Sequence, residues 1–348
     1  MSKIARTPIE LLRDEQLVWH YTDLNTLQLI LESNTLLATE VNYQNDPREP
    51  TTAIEAVEDA LRDLGAQQTY ASFARAAVRW FNDYRSANGF ISGRSGELIG
   101  QSRFIFCAST DPDNLYAWRT YSAGSRTGCA VGLDPNTPFG IVGENSGSAT
   151  VEMSRWSTVI YDRMKLRQFA TDKLRLIAEE WNKENEWDQE DAKEQKLEGL
   201  SDHQVSAHRA FGVLISEFSE VVAEIAAVAK HPSFADERET RLTSSNLAKG
   251  IVFSPGSNGP RPRVRLAAAG QWGSVVARAK GPLPIRALVL APDARDQAAT
   301  TAHWLLYAND YPIDPVPEID ESGSEPFLYQ DSSRMVTVYR SEHPYRNV

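Results

Sequence analysis

The order of apolar runs in this 348-residue chain predicts an α+β fold: a mixed, mostly antiparallel sheet as core, with a helical region inserted at 162–230. Three observations predict it. Strand-like and helical runs do not alternate as a doubly wound parallel sheet requires. Short, turn-bounded apolar runs ("GIVFS", "VRLAAAG", "SVVARA", "PIRALVLAP") crowd together between 250 and 292. A long charged helical stretch at 162–200 is followed by a second helix over about 203–230. No repeat of solenoid length is visible. The length fits one large domain or two interlocked ones, and the expectation is a single α+β domain over 1–348 with the helices inserted within it. A content of 41% hydrophobic and 9% aromatic residues is enough for a sizeable core.

The first element is the apolar run "LVWHY" at 17–21, a strand. A helix follows, with Asp23 as N-cap and Leu24, Leu27, Ile30 and Leu31 at helical spacing. Asn45, Asp46 and Pro47 then mark a loop. From Thr51 to Tyr84 the spacing is helical again and fits two helices, one carrying Ile54, Val57 and Leu61, the other Phe73, Ala76, Ala77, Trp80 and Phe81. A Gly/Ser-rich connection leads to a strand at Phe104–Cys107, a polar loop or short helix, and a strand at Cys129–Leu133. "STVIY" is a further strand, and the segment "EEWNKENEWDQEDAKEQKLEG" of the long helix is a solvated face. Beyond the four β-like runs, Ala298, Ala302, Leu305 and Leu306 mark a last helix and "MVTVYRS" a final strand.

Composition narrows the function classes. A net charge of −11 and a pI near 5.2 repel phosphate backbones at long range, which argues against a general nucleic-acid coat protein. The longest apolar stretch, Val213 to Val228, is interrupted by Glu217, Glu220 and Glu224, so it reads as a soluble helix. No apolar leader opens the chain, and the cytoplasm is the expected compartment, with no membrane partner. Cys107 and Cys129 sit in apolar runs and read as buried thiols. Neither CxxC nor HxxxH spacing occurs, so no metal is expected, and no glycine-rich phosphate loop is present.

At "WHYTDLNTLQLILESNTLLATEVNYQNDPRE" the sequence resembles a bacterial domain-of-unknown-function (DUF) family whose members open with an HYT strand, an L..IL helix and an NDP.E loop. "FIFCASTDPDNLYAWRTYSAGSRTGCAVGLDP" resembles that family's W..Y block, "KHPSFADERETRLT" its E.E.R block, and "LPIRALVLAP" with "VTVYRSEHPYR" its closing strands and tail. The opening is also similar to that of ADP-ribosyltransferase-type folds, whose chain order is His, Tyr, Glu. This second resemblance implies an ADP-ribosyltransferase-like fold, NAD as substrate, and His20, Tyr121 and Glu239 as the triad, with Glu237 competing for the last place. Tyr21 and Thr22 stand where such enzymes carry a small residue after the histidine.

Residue chemistry bears on the same positions. His20 at a strand end can hydrogen-bond a ribose hydroxyl or be satisfied by a backbone carbonyl. Asn45 and Asp46 are turn-formers, whereas Glu49 has no local duty and is a binding candidate. Trp118 and Tyr121 offer aromatic faces for a planar base, or core packing, and Arg119 a fork for phosphate. If Glu237–Arg241 is extended, Glu237, Glu239 and Arg241 share a face, either as a site carboxylate beside guanidinium groups or as a surface ion-pair ladder. His231 reads as a helix C-cap.

Three functions stay open. One is an NAD-consuming transferase or glycohydrolase, as part of a bacterial antiphage-defence or toxin system. In it His20 holds a ribose, Tyr121 stacks on nicotinamide, Glu239 stabilises the sugar cation, Arg119 or Arg241 holds the pyrophosphate, and a protein, nucleic acid or water accepts. Tyr21, Thr22, Glu49 and Trp118 complete its nucleotide contacts. The second is a metal-dependent hydrolase or nuclease using His20, Asp46, Glu49 and Glu239. The third is a non-catalytic module that binds a nucleotide or a partner.

Overall fold

A computed structural model describes residues 7–44, 49–88, 103–122, 126–143, 153–194, 217–244, 250–256, 259–272, 275–276, 278–279, 281–313 and 335–343. The chain divides into two compact units. The first comprises Met1–Glu40, Phe104–Thr158 and Asp236–Val348; the second comprises Val41–Arg103 and Val159–Ala235.

All the described strands lie in the first unit. The N-terminal helix α1 (Pro8–Asp14), absent from the sequence expectations, is closed by a capping box: Thr7 Oγ1 accepts from the Glu10 N–H, and the Glu10 carboxylate accepts from the Thr7 N–H at 2.9 Å. Strand β1 (Val18–Asp23) runs straight into α2 (Leu24–Ser33) because Asp23 turns its carboxylate onto the Thr26 N–H at 2.8 Å. The helix stops at Asn34, whose φ of 50° is left-handed, and the chain enters β2 (Leu36–Glu40), a strand with an alternating burial pattern that the sequence expectations do not include.

The sheet continues with β3 (Phe104–Ser109), α5 (Leu115–Tyr121), β4 (Gly128–Leu133), β5 (Phe139–Val142), β6 (Ser157–Thr158), β7 (Glu239–Ser244), β8 (Ile251–Ser254), β9 (Arg261–Ala268), β10 (Val275–Val276), β11 (Ile285–Leu290), α8 (Asp296–Ala308) and β12 (Thr337–Arg340). The main path runs β10-β5-β9-β2-β3-β1-β4-β11-β12, with β7 on β3, β6 on β7 and β8 on β9. Only β5–β10 and β11–β12 are parallel among the pairs described, so the sheet is mixed and mostly antiparallel.

One irregularity positions the site. The edge of β3 away from β7 is shared by two strands: β2 pairs at Phe104 and Ile105, and β1 at Ser109 alone. Around Cys107 neither strand is in the ladder, and the sheet is split there. Trp19, fully buried, packs where Gly132 of β4 has no side chain; a Cβ at 132 would lie 2.8 Å from the indole ring. The core of this unit gathers Leu27, Leu31, Leu36, Val264, Leu266, Leu288 and Leu306 on the sheet and its helices.

The second unit is helical: α3 (Glu49–Gly65), α4 (Ala71–Asn88), α6 (Arg163–Glu194) and a helix α7 over 217–228. Val57, Leu61, Phe73, Phe81, Leu174 and Phe218 close its core. The expected insertion at 162–230 is thus only half of this unit. Helices α3 and α4, read correctly as helical, bury their apolar stripes against α6 and its neighbours, which makes a separate core. His231 does not cap α7; its Nδ1 lies 2.8 Å from Ser233 Oγ and accepts from the Ser233 N–H, at the start of a short 3₁₀ turn, Pro232–Glu237. Among the described residues, no helix is long and apolar enough to cross a membrane.

Candidate functional site

The split in the sheet opens into a pocket of about 400 Å3, part of it continuous with solvent, lined by Trp19, His20, Tyr21, Cys107, Ala108, Ser109, Ala117, Tyr121, Glu237 and Glu239. His20 turns its ring into the split. Its Nδ1 lies 3.1 Å from the Cys107 carbonyl oxygen, and the ring packs at 4.5 Å on Phe106. Burial lowers the His20 pKa below 6.5, the Cys107 carbonyl opposes this, and the charge of Arg263 adds to the lowering. The imidazole is therefore neutral at pH 7. A carbonyl can only accept, so the proton sits on Nδ1 and Nε2 carries a lone pair.

The opposite wall comes from the segment before β7. Glu237 ends the 3₁₀ turn, Arg238 takes a left-handed φ of 48°, and Glu239 starts the strand. This kink lets both carboxylates line one pocket. The β3–α5 connection fixes it: Ser109 Oγ donates to the Glu237 carbonyl at 2.8 Å, the Thr110 N–H to the Arg238 carbonyl at 2.9 Å, Asn114 Nδ2 to the Asp236 carbonyl at 2.5 Å, and Arg238 Nη1 to Asp111 Oδ2 at 2.8 Å. Glu237 and Glu239 are 6% and 4% exposed, and Arg241 is 0% exposed. The pair at 239 and 241 is thus a buried bidentate ion pair, not a surface ladder: Arg241 Nε donates to Glu239 Oε1 at 2.8 Å and Nη2 to Oε2 at 3.1 Å.

Helix α5 brings the third wall. Asn114 Oδ1 accepts from the Tyr116 and Ala117 N–H groups, starting the helix, and seven residues later Tyr121, 41% exposed, points its hydroxyl at Glu237 Oε1, 3.3 Å away.

His20, Tyr121, Glu237 and Glu239, from distant stretches of chain, therefore share one cavity, and Tyr21 lines it as well. The other sequence candidates are placed differently. The Tyr21 hydroxyl is engaged inside the fold: it donates to the Asp111 carbonyl and accepts from the Asn114 N–H, each at 2.7 Å, and burial raises its pKa well above 10. Thr22 is buried opposite Cys129 in the β1–β4 ladder, outside the lining. Trp118 is not a stacking platform. It is 3% exposed, edge-on to Tyr21 at 4.6 Å, and its indole N–H donates to Asp113 at 2.7 Å, because α5 rotates it toward the core while Tyr121 faces outward. Arg119 is exposed and outside the lining, and the Arg241 guanidinium is bonded to Glu239. Glu49 is the first residue of α3 in the second unit, and Asn45 and Asp46 lie outside the described residues.

The connection Ser109–Asn114 falls within the expected polar loop or short helix, but none of its residues was a site candidate. Its "STDPDN" run of short polar residues ahead of a helix was a signal for it. Asp113, 3% exposed, ties the C-terminal residues in: it accepts from Ser341 Oγ at 2.6 Å and from the Glu342 N–H at 2.9 Å. Among the described residues no group of three or more His, Cys, Asp or Glu side chains is arranged to hold a metal ion.

Residues 117–242 match a family model described as "Protein of unknown function (DUF2971)". The resemblance of the W..Y and E.E.R blocks to an uncharacterised family is thereby shown for this interval, which holds Tyr121, Glu237, Glu239 and Arg241. No curated protein and no solved structure matches the chain.

Proposed function

We propose that this chain cleaves the nicotinamide–ribose bond of NAD, as an ADP-ribosyltransferase-like or NAD glycohydrolase-like enzyme. The observation that carries the reading is the convergence of a neutral imidazole, a half-exposed tyrosine ring and two buried carboxylates on one pocket. The pocket is small and open to solvent on one side, so the reading asks only the nicotinamide–ribose end of the dinucleotide to enter it, with the rest lying outside.

Each group has a task that its surroundings suit. The Nε2 lone pair of His20 accepts from a ribose hydroxyl, which an imidazolium could not do. The Tyr121 ring covers the nicotinamide. Glu239, fixed by Arg241 and shielded from water, presents its carboxylate to the sugar. When the C1′–N bond breaks, the electron pair leaves with nicotinamide, which becomes neutral, and the positive charge passes to the sugar ring. A fixed carboxylate lowers that barrier, since its attraction is greater for the cationic sugar of the transition state than for the ground state. Water or an acceptor nucleophile then bonds to C1′ and gives up a proton, for which Glu237 is the neighbouring base.

The test is release of nicotinamide from NAD by the purified chain, with and without a chelator, and by Glu237→Gln and Glu239→Gln variants whose folding is checked by circular dichroism. The reading expects release that is indifferent to the chelator and reduced about 100-fold or more in a folded carboxylate variant. Full turnover by both folded variants would overturn the assignment. NAD-dependent thermal stabilisation of the parent with no nicotinamide formed would replace the enzyme with a nucleotide-binding module.

A further inference from the structure

Strand β9 reads Arg-Pro-Arg-Val-Arg-Leu over 261–266. Alternation puts Val264 and Leu266, both fully buried in the core, on one face and Arg261, Arg263 and Arg265 on the other. Three like charges in a row on one strand repel one another. In a chain of net charge −11 carboxylates are plentiful, yet Arg263 and Arg265 have no ion-pair partner among the described residues.

Arg263 is partly buried, and its Nε is enclosed without a hydrogen-bond partner. A native fold leaves few buried N–H groups unmade, and those that remain call for an explanation. Burial first and Arg261 second lower the Arg263 pKa, and an anion placed against the guanidinium would offset both by favouring its charged form. The ladder locates this group. Arg263 stands opposite Thr39 of β2, and Thr39 opposite Ile105 of β3, so the three share a face. Two residues along β3 on that face is Cys107, whose side chain lines the His20 pocket, and the charge of Arg263 reaches His20 itself.

We propose that Arg263, with Arg265 beside it, forms a phosphoryl-binding subsite on the face of β9 next to the His20 pocket. The guanidinium of Arg263 supplies the fork that suits phosphate oxygens, and Arg265, more exposed, supplies a second charge. A nucleotide whose sugar lies at His20 sends its phosphates toward β9. The assignment to a dinucleotide pyrophosphate rests on the function proposed above; the anion site is tested apart from it.

The probe is inorganic pyrophosphate, titrated calorimetrically into the full chain at low ionic strength. The parent should bind it, Arg263→Gln should weaken binding by about tenfold or more, and Arg263→Lys should retain part of it. Arg340→Gln, which removes a positive charge paired with Asp296 elsewhere in the fold, should leave the affinity unchanged. A parent that does not bind, an Arg263→Gln affinity equal to the parent's, or an equal loss in Arg340→Gln would each overturn the site. Binding that depends on Arg263 in a chain that leaves NAD intact would uphold the subsite while removing only the NAD reading.

Discussion

Arg241 closes on the carboxylate of Glu239 with two parallel bonds, although the two residues are separated by only one position of the same strand. A carboxylate whose two oxygens are held by one guanidinium cannot rotate. Removing either partner takes the matching charge away from a group that stays buried.

Arg241→Leu is therefore expected to lower unfolding stability by about 3–5 kcal/mol, while the double replacement Glu239→Leu/Arg241→Leu recovers much of that loss. Urea midpoints of the parent and both variants check it. A single variant as stable as the parent would show that the pair contributes no buried charge.

Stability should depend on pH through His20. Its folded pKa lies below 6.5, so as pH falls from 6.5 the unfolded chain takes up a proton that the folded chain resists. The stabilising effect is complete above 6.5 and is lost progressively through the lowered folded value. His20→Gln keeps a donor for the Cys107 carbonyl but does not titrate, so its stability should fall less than the parent's between pH 7.5 and pH 5. Parallel pH curves for the two proteins would contradict the burial argument.

The thiols should differ in reactivity. Burial pushes the Cys129 thiol well above its usual range, whereas Cys107 is partly exposed and lines the pocket. Alkylation of the folded chain at pH 8, read by peptide mass, should label Cys107 and spare Cys129, and NAD should slow the labelling of Cys107. Equal labelling of both thiols would mean that β4 is open to solvent.

Gly132→Ala should destabilise by about 1–3 kcal/mol, since its Cβ falls 2.8 Å from the Trp19 ring in a filled core. Trp19 holds β1 where His20 is aimed, so NAD turnover should fall in the same variant. A thermal midpoint unchanged from the parent's would show that Trp19 can move aside.

The strands at Phe104–Ser109 and Gly128–Leu133 were legible because they are apolar without interruption. β2 was not: "LLATE" alternates over only five residues and runs into turn-formers, so the local signal favoured a loop. For β7 an extended Glu237–Arg241 entered only as a condition, with a surface ladder as the rival, because "ETRLTS" carries charge. Its full burial depends on a pairing inside the strand and on β3 and β6 at its two edges. Trp118 and Tyr121 looked equivalent in sequence; one turn of α5 sends the first to Asp113 in the core and the second to Glu237 in the pocket.

By itself the chain's pattern of apolar spacing and charge determined the α+β class, the helical character of 51–84 and 162–194, and which imidazole, aromatic and acidic residues were worth considering, because such signals are local. Only the tertiary structure decided that β1 and β2 part along β3, that His20 fills the gap, and that a left-handed Arg238 turns two carboxylates toward it. Those facts depend on strand register and on bonds between residues up to 128 positions apart, and no window of sequence contains both ends of such a bond.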